Sequence, residues 1–289
     1  MPYNPAQNTM QLQTFKYFAE HIVGYIYPPR CVACRCLLSD SSEYLCSECA
    51  DKFDANKIFN RFAIRELQKD NLAICDKCGE ILPPQNILFG CCPICRAAPY
   101  AANHIRSLYT YNDDTRTPLL TFKYFQKFGL AKLFSEIILQ NLQDFATGFQ
   151  IFPETDWDYI LPIPSSPDIL RTRGYNHMYL TTKIVAKALG CKTAPDFLVS
   201  NRNRTAQTML TLEERTENVK GAFTISQHGR DALVGTKILL LDDMLTTGST
   251  IDAAARILLD YGNVLNVDVL TVFRSGSFAR DRIKTLVNL

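Results

Sequence analysis

The chain has no uninterrupted apolar stretch approaching the roughly eighteen residues needed to cross a bilayer, so no part of it is expected to insert into a membrane. It also lacks a basic n-region followed by an apolar run and a small-residue cleavage site, and no signal peptide is expected. Neither sign of charge prevails. Lys and Arg number 31 against 29 Asp and Glu, and a net charge of +2 is too close to balance to argue for nucleic acid by itself. No Gly-x-Gly-x-x-Gly is present, which excludes the dinucleotide fingerprint, and no Gly-Lys-Ser/Thr, which excludes a Walker A loop. Low-complexity segments are missing too. With 47% hydrophobic and 21% charged residues, a disordered or fibrous chain is excluded. What remains is a globular protein, long enough at 289 residues for two domains and expected in the cytoplasm.

Cysteine is nearly gone after residue 95, where Cys191 alone remains, but ten of the eleven cysteines lie between Cys31 and Cys95. Eight of them form C-x-x-C pairs: Cys31/Cys34, Cys46/Cys49, Cys75/Cys78 and Cys92/Cys95. Each such turn aims two thiolates at one point, and two turns complete a tetrahedral four-cysteine zinc site. Eleven residues separate the first two pairs and thirteen the second two, spacings that suit ribbon hairpins. A reducing cytoplasm argues against disulfides. Two structural Zn2+ sites are therefore expected, with iron–sulfur or redox use as the alternatives. Sequential pairing of the knuckles is the default, and crossed pairing stays open. Cys36 and Cys91 are surplus, because only Cys92-Pro93-Ile94-Cys95 makes a knuckle at that point. Gly79 follows the third pair where positive φ is useful, whereas Arg35 holds that place after the first. Sites filled by four ligands act as folding staples, or as grips for nucleic acid or a partner protein.

The expected organisation is an N-terminal segment 1–30, a double zinc ribbon over 31–100 and a larger domain over 101–289. The first segment holds an amphipathic helix, Leu12 to Tyr27, ending at Pro28-Pro29. A short helix is expected within Asp51 to Asn71. From Asn103 onward β and α patterns alternate. Strands are expected at 104–111, 159–163, 197–200, 222–225, 237–241 and 266–273, and helices at 117–126, 131–142, 175–189 and 251–261. Alternation of this kind specifies an α/β fold, a mostly parallel sheet flanked by helices.

The chemistry concentrates at Ile238-Leu239-Leu240-Leu241-Asp242-Asp243-Met244-Leu245-Thr246-Thr247-Gly248-Ser249-Thr250. Four apolar residues in a row read as a strand buried on both faces. Two carboxylates follow at its carboxyl end, where ligands of open α/β sheets bind. Thr246, Thr247, Gly248, Ser249 and Thr250 then offer backbone N–H groups and hydroxyls to a phosphate as a helix begins. Paired acids beside a phosphate cradle suit a phosphorylated sugar. Asp242 and Asp243 would take its 2- and 3-hydroxyls, and the loop its 5-phosphate. At another strand end, Arg171 and Arg173 bracket a turn and can grip pyrophosphate bidentately. The polar stretch Gln207 to Phe223, after Arg202 and Arg204, has the length and composition of a flap over a ligand.

The thirteen-residue run resembles the phosphoribosyl-pyrophosphate (PRPP) loop of type I phosphoribosyltransferases. The Pro-Pro-Arg-Cys entry to a double zinc ribbon, Phe122-Lys123-Tyr124, Pro162-Ile163-Pro164, Arg171-Thr172-Arg173-Gly174-Tyr175-Asn176 and the Gln207…Arg215…Asn218-Val219…Gly221-Ala222-Phe223 series resemble the ComF family, in that family's order, from about Tyr27 to Arg274. Departures are Arg35 at the knuckle glycine, and His177 where the family usually shows Gln. The resemblance implies a type I phosphoribosyltransferase fold and a link to natural transformation, with single-stranded DNA or competence proteins as partners. It implies pentosyl transfer by displacement at C1 of PRPP with release of pyrophosphate. Mg2+, Arg171, Arg173 and Lys123 would stabilise the leaving group. The alternative is a non-catalytic PRPP sensor whose ribbons contact DNA or competence proteins. No acceptor-binding hood is identifiable.

Overall fold

The computed structural model describes residues 28–40, 43–58, 73–82, 88–124, 129–142, 151–201 and 221–276. The chain divides into two compact units, Met1–Asp54 and Ala55–Leu289. The helix expected over 12–27, residues 59–71 of the helix expected within 51–71, and residues 207–220 of the expected flap lie outside the described residues. The sequence grouped all four knuckles in one segment, but the junction between Asp54 and Ala55 places the second pair in the larger unit.

The described part of the smaller unit turns at the first knuckle, where Cys31 N–H donates to Cys36 O and Val32 N–H to Tyr44 O, both at 2.9 Å. The second knuckle opens helix α1, Ser47–Asp54. Among the described residues of this unit the buried apolar ones are Cys31, Val32, Leu38 and Phe53.

In the larger unit, β1 (Ala73–Ile74) and β2 (Ile81–Leu82) pair antiparallel around the third knuckle, and a short helix, α2 (Pro93–Ala97), carries the fourth. Then come β3 (His104–Tyr111), α3 (Asp113–Tyr124), α4 (Gly129–Leu142), β4 (Tyr159–Pro162), α5 (Pro167–Arg173) and α6 (His177–Leu189). The chain continues through β5 (Leu198–Ser200), β6 (Phe223–Ile225), α7 (Gln227–Leu233), β7 (Lys237–Leu245), α8 (Ser249–Gly262) and β8 (Asn266–Ser275). Four strands form one parallel sheet in the order β3-β8-β7-β4. This is the expected fold class, a parallel sheet flanked by helices, with both four-cysteine clusters ahead of it in sequence.

Ile238, Leu239, Leu240 and Leu241 are fully buried, as a central parallel strand covered on both faces requires. One core joins Ile238, Leu240, Val267 and Val269 to Ile251, Ala254 and Leu258 of α8 and to the second cysteine cluster. Elsewhere Phe122 meets Phe134 at 4.5 Å and Phe134 meets Phe273 at 5.9 Å, which locks α3 and α4 onto β8. Two expected strands, β5 and β6, do not extend the parallel sheet. They pair antiparallel with each other, Leu198 opposite Ile225 and Ser200 opposite Phe223. Among the described residues no helix is long and apolar enough to cross a membrane.

Candidate functional site

The strand β7 runs further than its apolar core. Asp242 lies opposite Thr271 and Met244 opposite Phe273, so the two acids belong to the sheet ladder, not to the turn after it. The turn then needs Gly248, whose φ of 83° lies in the left-handed region. Gly248 is the N-cap of α8 and brings no side-chain bond to the helix start, so the first N–H groups of α8 have no side-chain cap from that residue. Thr247 and Ser249 hydroxyls share a hydrogen bond of 2.9 Å across this turn.

Asp243 is the electrostatic centre. It is only 6% exposed, and both of its oxygens are engaged. Lys123 Nζ, from the last turn of α3, lies 2.7 Å from Oδ1, and His177 Nε2, at the start of α6, hydrogen-bonds Oδ2. The imidazole is wedged edge-on against Phe122, with ring centroids 4.9 Å apart. Its Nδ1 is buried with no hydrogen-bond partner among the described residues, which places the ring hydrogen on Nε2, donating to Asp243. Burial works against the ionised form of Asp243, but the Lys123 charge and the His177 hydrogen bond outweigh it and hold this carboxyl well below the usual range. Its neighbour goes the other way: burial, with the Asp243 charge beside it, pushes Asp242 up to about 8.

A cavity of about 350 Å3 opens against these groups. Lys123, Arg173, Asp242, Asp243 and Thr250 line it, so five of the residues singled out in the sequence meet there. Arg173 projects from the last turn of α5 and stacks over the ring of Tyr124 at 4.6 Å. Arg171 is turned away. Its guanidinium pairs with Asp168 at 2.8 Å, and its side chain is 72% exposed. The segment between β4 and α6 is a helix and not the simple turn expected, because Ser166 caps α5 by accepting from Ile169 N–H and Gly174 closes it at φ 80°. The sequence reading assigned no role to Ser165, Ser166, Asn176, His177, Met178, Ser200 and Phe223, which also line the cavity. For His177 the signal was present as a departure from the family pattern. For Asn176 it lay in the residue type, an N-cap former directly ahead of an amphipathic run. Asn176 accepts from Met178 N–H at 3.0 Å and donates to Ile163 O at 3.1 Å, tying the Pro164 loop to α6.

The eight knuckle cysteines assemble as Cys31/Cys34/Cys46/Cys49 and Cys75/Cys78/Cys92/Cys95, with all four sulfurs of each group within 4.8 Å of one another. The pairing is sequential, and Cys92 takes part where Cys91 does not. Four thiolates about 2.3 Å from one zinc stand about 3.8 Å apart along tetrahedral edges. Cys34 and Cys46 sulfurs lie 3.7 Å apart, and those of Cys78 and Cys92 3.8 Å, so both groups could hold zinc. Backbone N–H groups of Cys92 and Cys95 point at the sulfurs of Cys75 and Cys92, at 3.3 and 3.4 Å, as in metal–thiolate knuckles. Arg35 adopts φ 68°, the same left-handed turn that Gly79 makes at φ 67°, so the departure from glycine left the knuckle geometry intact.

Fold and site thus define a parallel α/β domain with an acidic strand end, a glycine turn and one four-cysteine cluster, preceded by a small unit with another. No family model matches the chain. It is similar to "Competence protein ComFC" of Bacillus subtilis, 28% identical over 216 residues that cover 73% of this chain and 81% of that protein. It is also similar to "DNA utilization protein YhgH" of Salmonella typhimurium, 26% identical over 237 residues, 81% of this chain and 92% of the other. The resemblance read from the motifs is borne out by these relatives. A solved adenine phosphoribosyltransferase from Thermoanaerobacter pseudethanolicus is similar with 19% identity and a TM-score of 0.35, over 61% of this chain and 81% of that one.

Proposed function

We propose that this chain binds PRPP with Mg2+ at the end of β7 and transfers its phosphoribosyl group to an acceptor with release of pyrophosphate, in the handling of DNA taken up during natural transformation. The observation that carries the reading is the convergence on one cavity of Asp242, Asp243, Thr250, Lys123 and Arg173. The names of the curated relatives supply the DNA context. Asp242 accepts from a ribose hydroxyl, and Asp243 does so through the lone pairs that Lys123 and His177 leave. Thr246 to Thr250 hold the 5-phosphate with backbone N–H groups and hydroxyls. Arg173 lies against the pyrophosphate, with Arg171 joining it by leaving Asp168. Bond breaking at C1 builds oxocarbenium character, so no protein nucleophile is needed, and catalysis rests on positioning and charge. Mg2+, when bound, neutralises the departing pyrophosphate. Zn2+ held by each four-cysteine group is structural, since four ligands leave no open position. Cysteines free of disulfides suit a reducing cytoplasm.

Calorimetric titration with PRPP and Mg2+ tests the site. Wild type should give a heat of binding, and Asp242→Asn should lose about ten- to a hundredfold in affinity, as for one hydrogen bond to a charged acceptor. No heat at millimolar PRPP would end the assignment. A second reading, a PRPP-sensing scaffold that contacts single-stranded DNA, is favoured by one observation: Phe89 is 61% exposed beside the fourth knuckle, with Arg96 stacked 4.0 Å over its ring. Such a pair suits base stacking. PRPP binding without any pyrophosphate release across a metabolite extract, together with salt-dependent binding of single strands lost in Phe89→Ala, would favour the scaffold.

A further inference from the structure

The second cysteine cluster shares one core with Leu245 and Ile251, which flank the loop Thr246–Thr250, and a strap of residues after Cys95 joins the two. The chain leaves the cluster at Cys95, closes α2 with Ala98 N–H on Ile94 O, and reaches Tyr100, which is 6% exposed. The Tyr100 hydroxyl donates to Thr247 O at 3.0 Å. Its ring lies across the glycine of the loop so closely that a Cβ on Gly248 would stand 2.4 Å from the phenol oxygen. One residue on, Ala101 N–H donates to Asp252 Oδ1 in the first turn of α8 at 2.7 Å. The other side of the strap is stitched to the third knuckle. Lys77, between Cys75 and Cys78, donates from Nζ to Ala102 O at 3.1 Å and accepts from Ile105 N–H at 2.6 Å.

The hydrogen bond from Tyr100 has a directional effect. Carbonyl and N–H of a trans peptide point in opposite directions. Holding Thr247 O toward Tyr100 therefore fixes Gly248 N–H on the far side of the loop, as a donor a phosphate could use. We propose that Tyr100 is a positioning residue of the phosphate loop, anchored by the second four-cysteine cluster, so that metal held by Cys75, Cys78, Cys92 and Cys95 and a phosphate ester held by Thr246–Thr250 strengthen each other's binding. The proposal rests on the reading of that loop as a PRPP site. By linkage the coupling is reciprocal: what the metal does for PRPP affinity, PRPP does for metal retention.

The test measures PRPP affinity by calorimetry and zinc release to a zinc-selective chromophoric chelator, with and without PRPP and Mg2+. Cys46→Ser assigns the release phase of the first cluster. In wild type PRPP should slow the release phase of the second cluster. Tyr100→Ala should keep its full zinc content, lose about tenfold in PRPP affinity, and release zinc at a rate PRPP no longer changes. Tyr100→Phe keeps the ring over Gly248 and should fall between the two. A zinc-replete Tyr100→Ala that binds PRPP as tightly as wild type would overturn the proposal, as would wild-type zinc release indifferent to bound PRPP. Wild type that binds no PRPP would instead overturn the reading of the loop on which it rests.

Discussion

Two adjacent aspartates, alike in sequence, have opposite duties. Asp243 is held ionised by Lys123 and His177 inside the protein. Asp242 has no such partner and is pushed up to about 8 by burial and by Asp243. Asp243→Asn strands a Lys123 side chain that is only 19% exposed, and removing one partner of a buried pair costs about 3–5 kcal/mol. This variant should melt well below wild type, and Asp242→Asn should not. Differential scanning calorimetry of both variants checks this. Asp242 also imposes a pH dependence. Its folded pKa stands above that of the unfolded chain, so the folded state binds the extra proton, and its contribution to stability, full below about 4, is lost as pH rises through about 8. Melting curves from pH 4 to pH 9 should show this decline in wild type relative to Asp242→Asn. If Asp242 accepts from a ribose hydroxyl, PRPP affinity should rise over the same window, because the ionised carboxylate is the stronger acceptor. The carboxylate pair was legible as a motif in the sequence. The division of labour was not, since only the folded chain brings Lys123 at the end of α3 and His177 at the start of α6 to Asp243 on β7.

At the scale of elements, the parallel strands were legible because buried runs such as Ile238–Leu241 admit few readings, and β3 begins and ends where its pattern does. Short capped helices were not legible. α5 and α7 are each seven residues long, too short for a period to show, and both are announced only by a serine cap, Ser166 and Ser226. The helix α3 begins at Asp113, four residues before the expected 117, because Asn112 accepts from Asp114 N–H at 3.2 Å and Thr115 N–H at 3.4 Å. β5 and β6 were read as strands correctly, but three residues of pattern could not say which sheet they join. Asn176 gives an element-scale prediction. Asn176→Ala removes a helix cap and the tie to Ile163 O, and should cost about 1–2 kcal/mol in urea unfolding. PRPP affinity should fall as well, because Pro164 and Ser165 of the freed loop line the cavity.

At the scale of the whole molecule, the two cysteine clusters look equivalent in sequence and are not. Cys75, Cys78, Cys92 and Cys95 are all buried and belong to the main core of the sheet, whereas Cys34 is exposed, and its cluster sits in the small unit ending at Asp54. Spacing alone gave the ligands and could not give this difference, which depends on what packs around each knuckle. Cys95→Ser should therefore lower the melting temperature of the sheet unit along with its zinc content. Cys46→Ser should halve the zinc and leave that transition in place. Elemental analysis beside calorimetry separates the two outcomes.

Arg106, on β3, is 2% exposed, and its guanidinium finds carbonyls: Ile151 O at 2.5 Å, Asp76 O at 3.1 Å and Ile105 O at 2.9 Å. It packs against Gly79 of the third knuckle, where an added Cβ would lie 3.2 Å from its Cδ. Burial pushes its pKa down, opposed by the charges of Cys78, Cys75, Asp268 and Asp76. A four-thiolate site with one divalent ion keeps two negative charges, and Arg106 is the cation buried beside them. A newly made chain with protonated thiols would close its sheet over a guanidinium answered only by Asp268 and Asp76, so arrival of the ion favours the settled sheet. The yield of soluble protein should then track the zinc supply of the cell that makes it, and Arg106→Met should weaken that dependence.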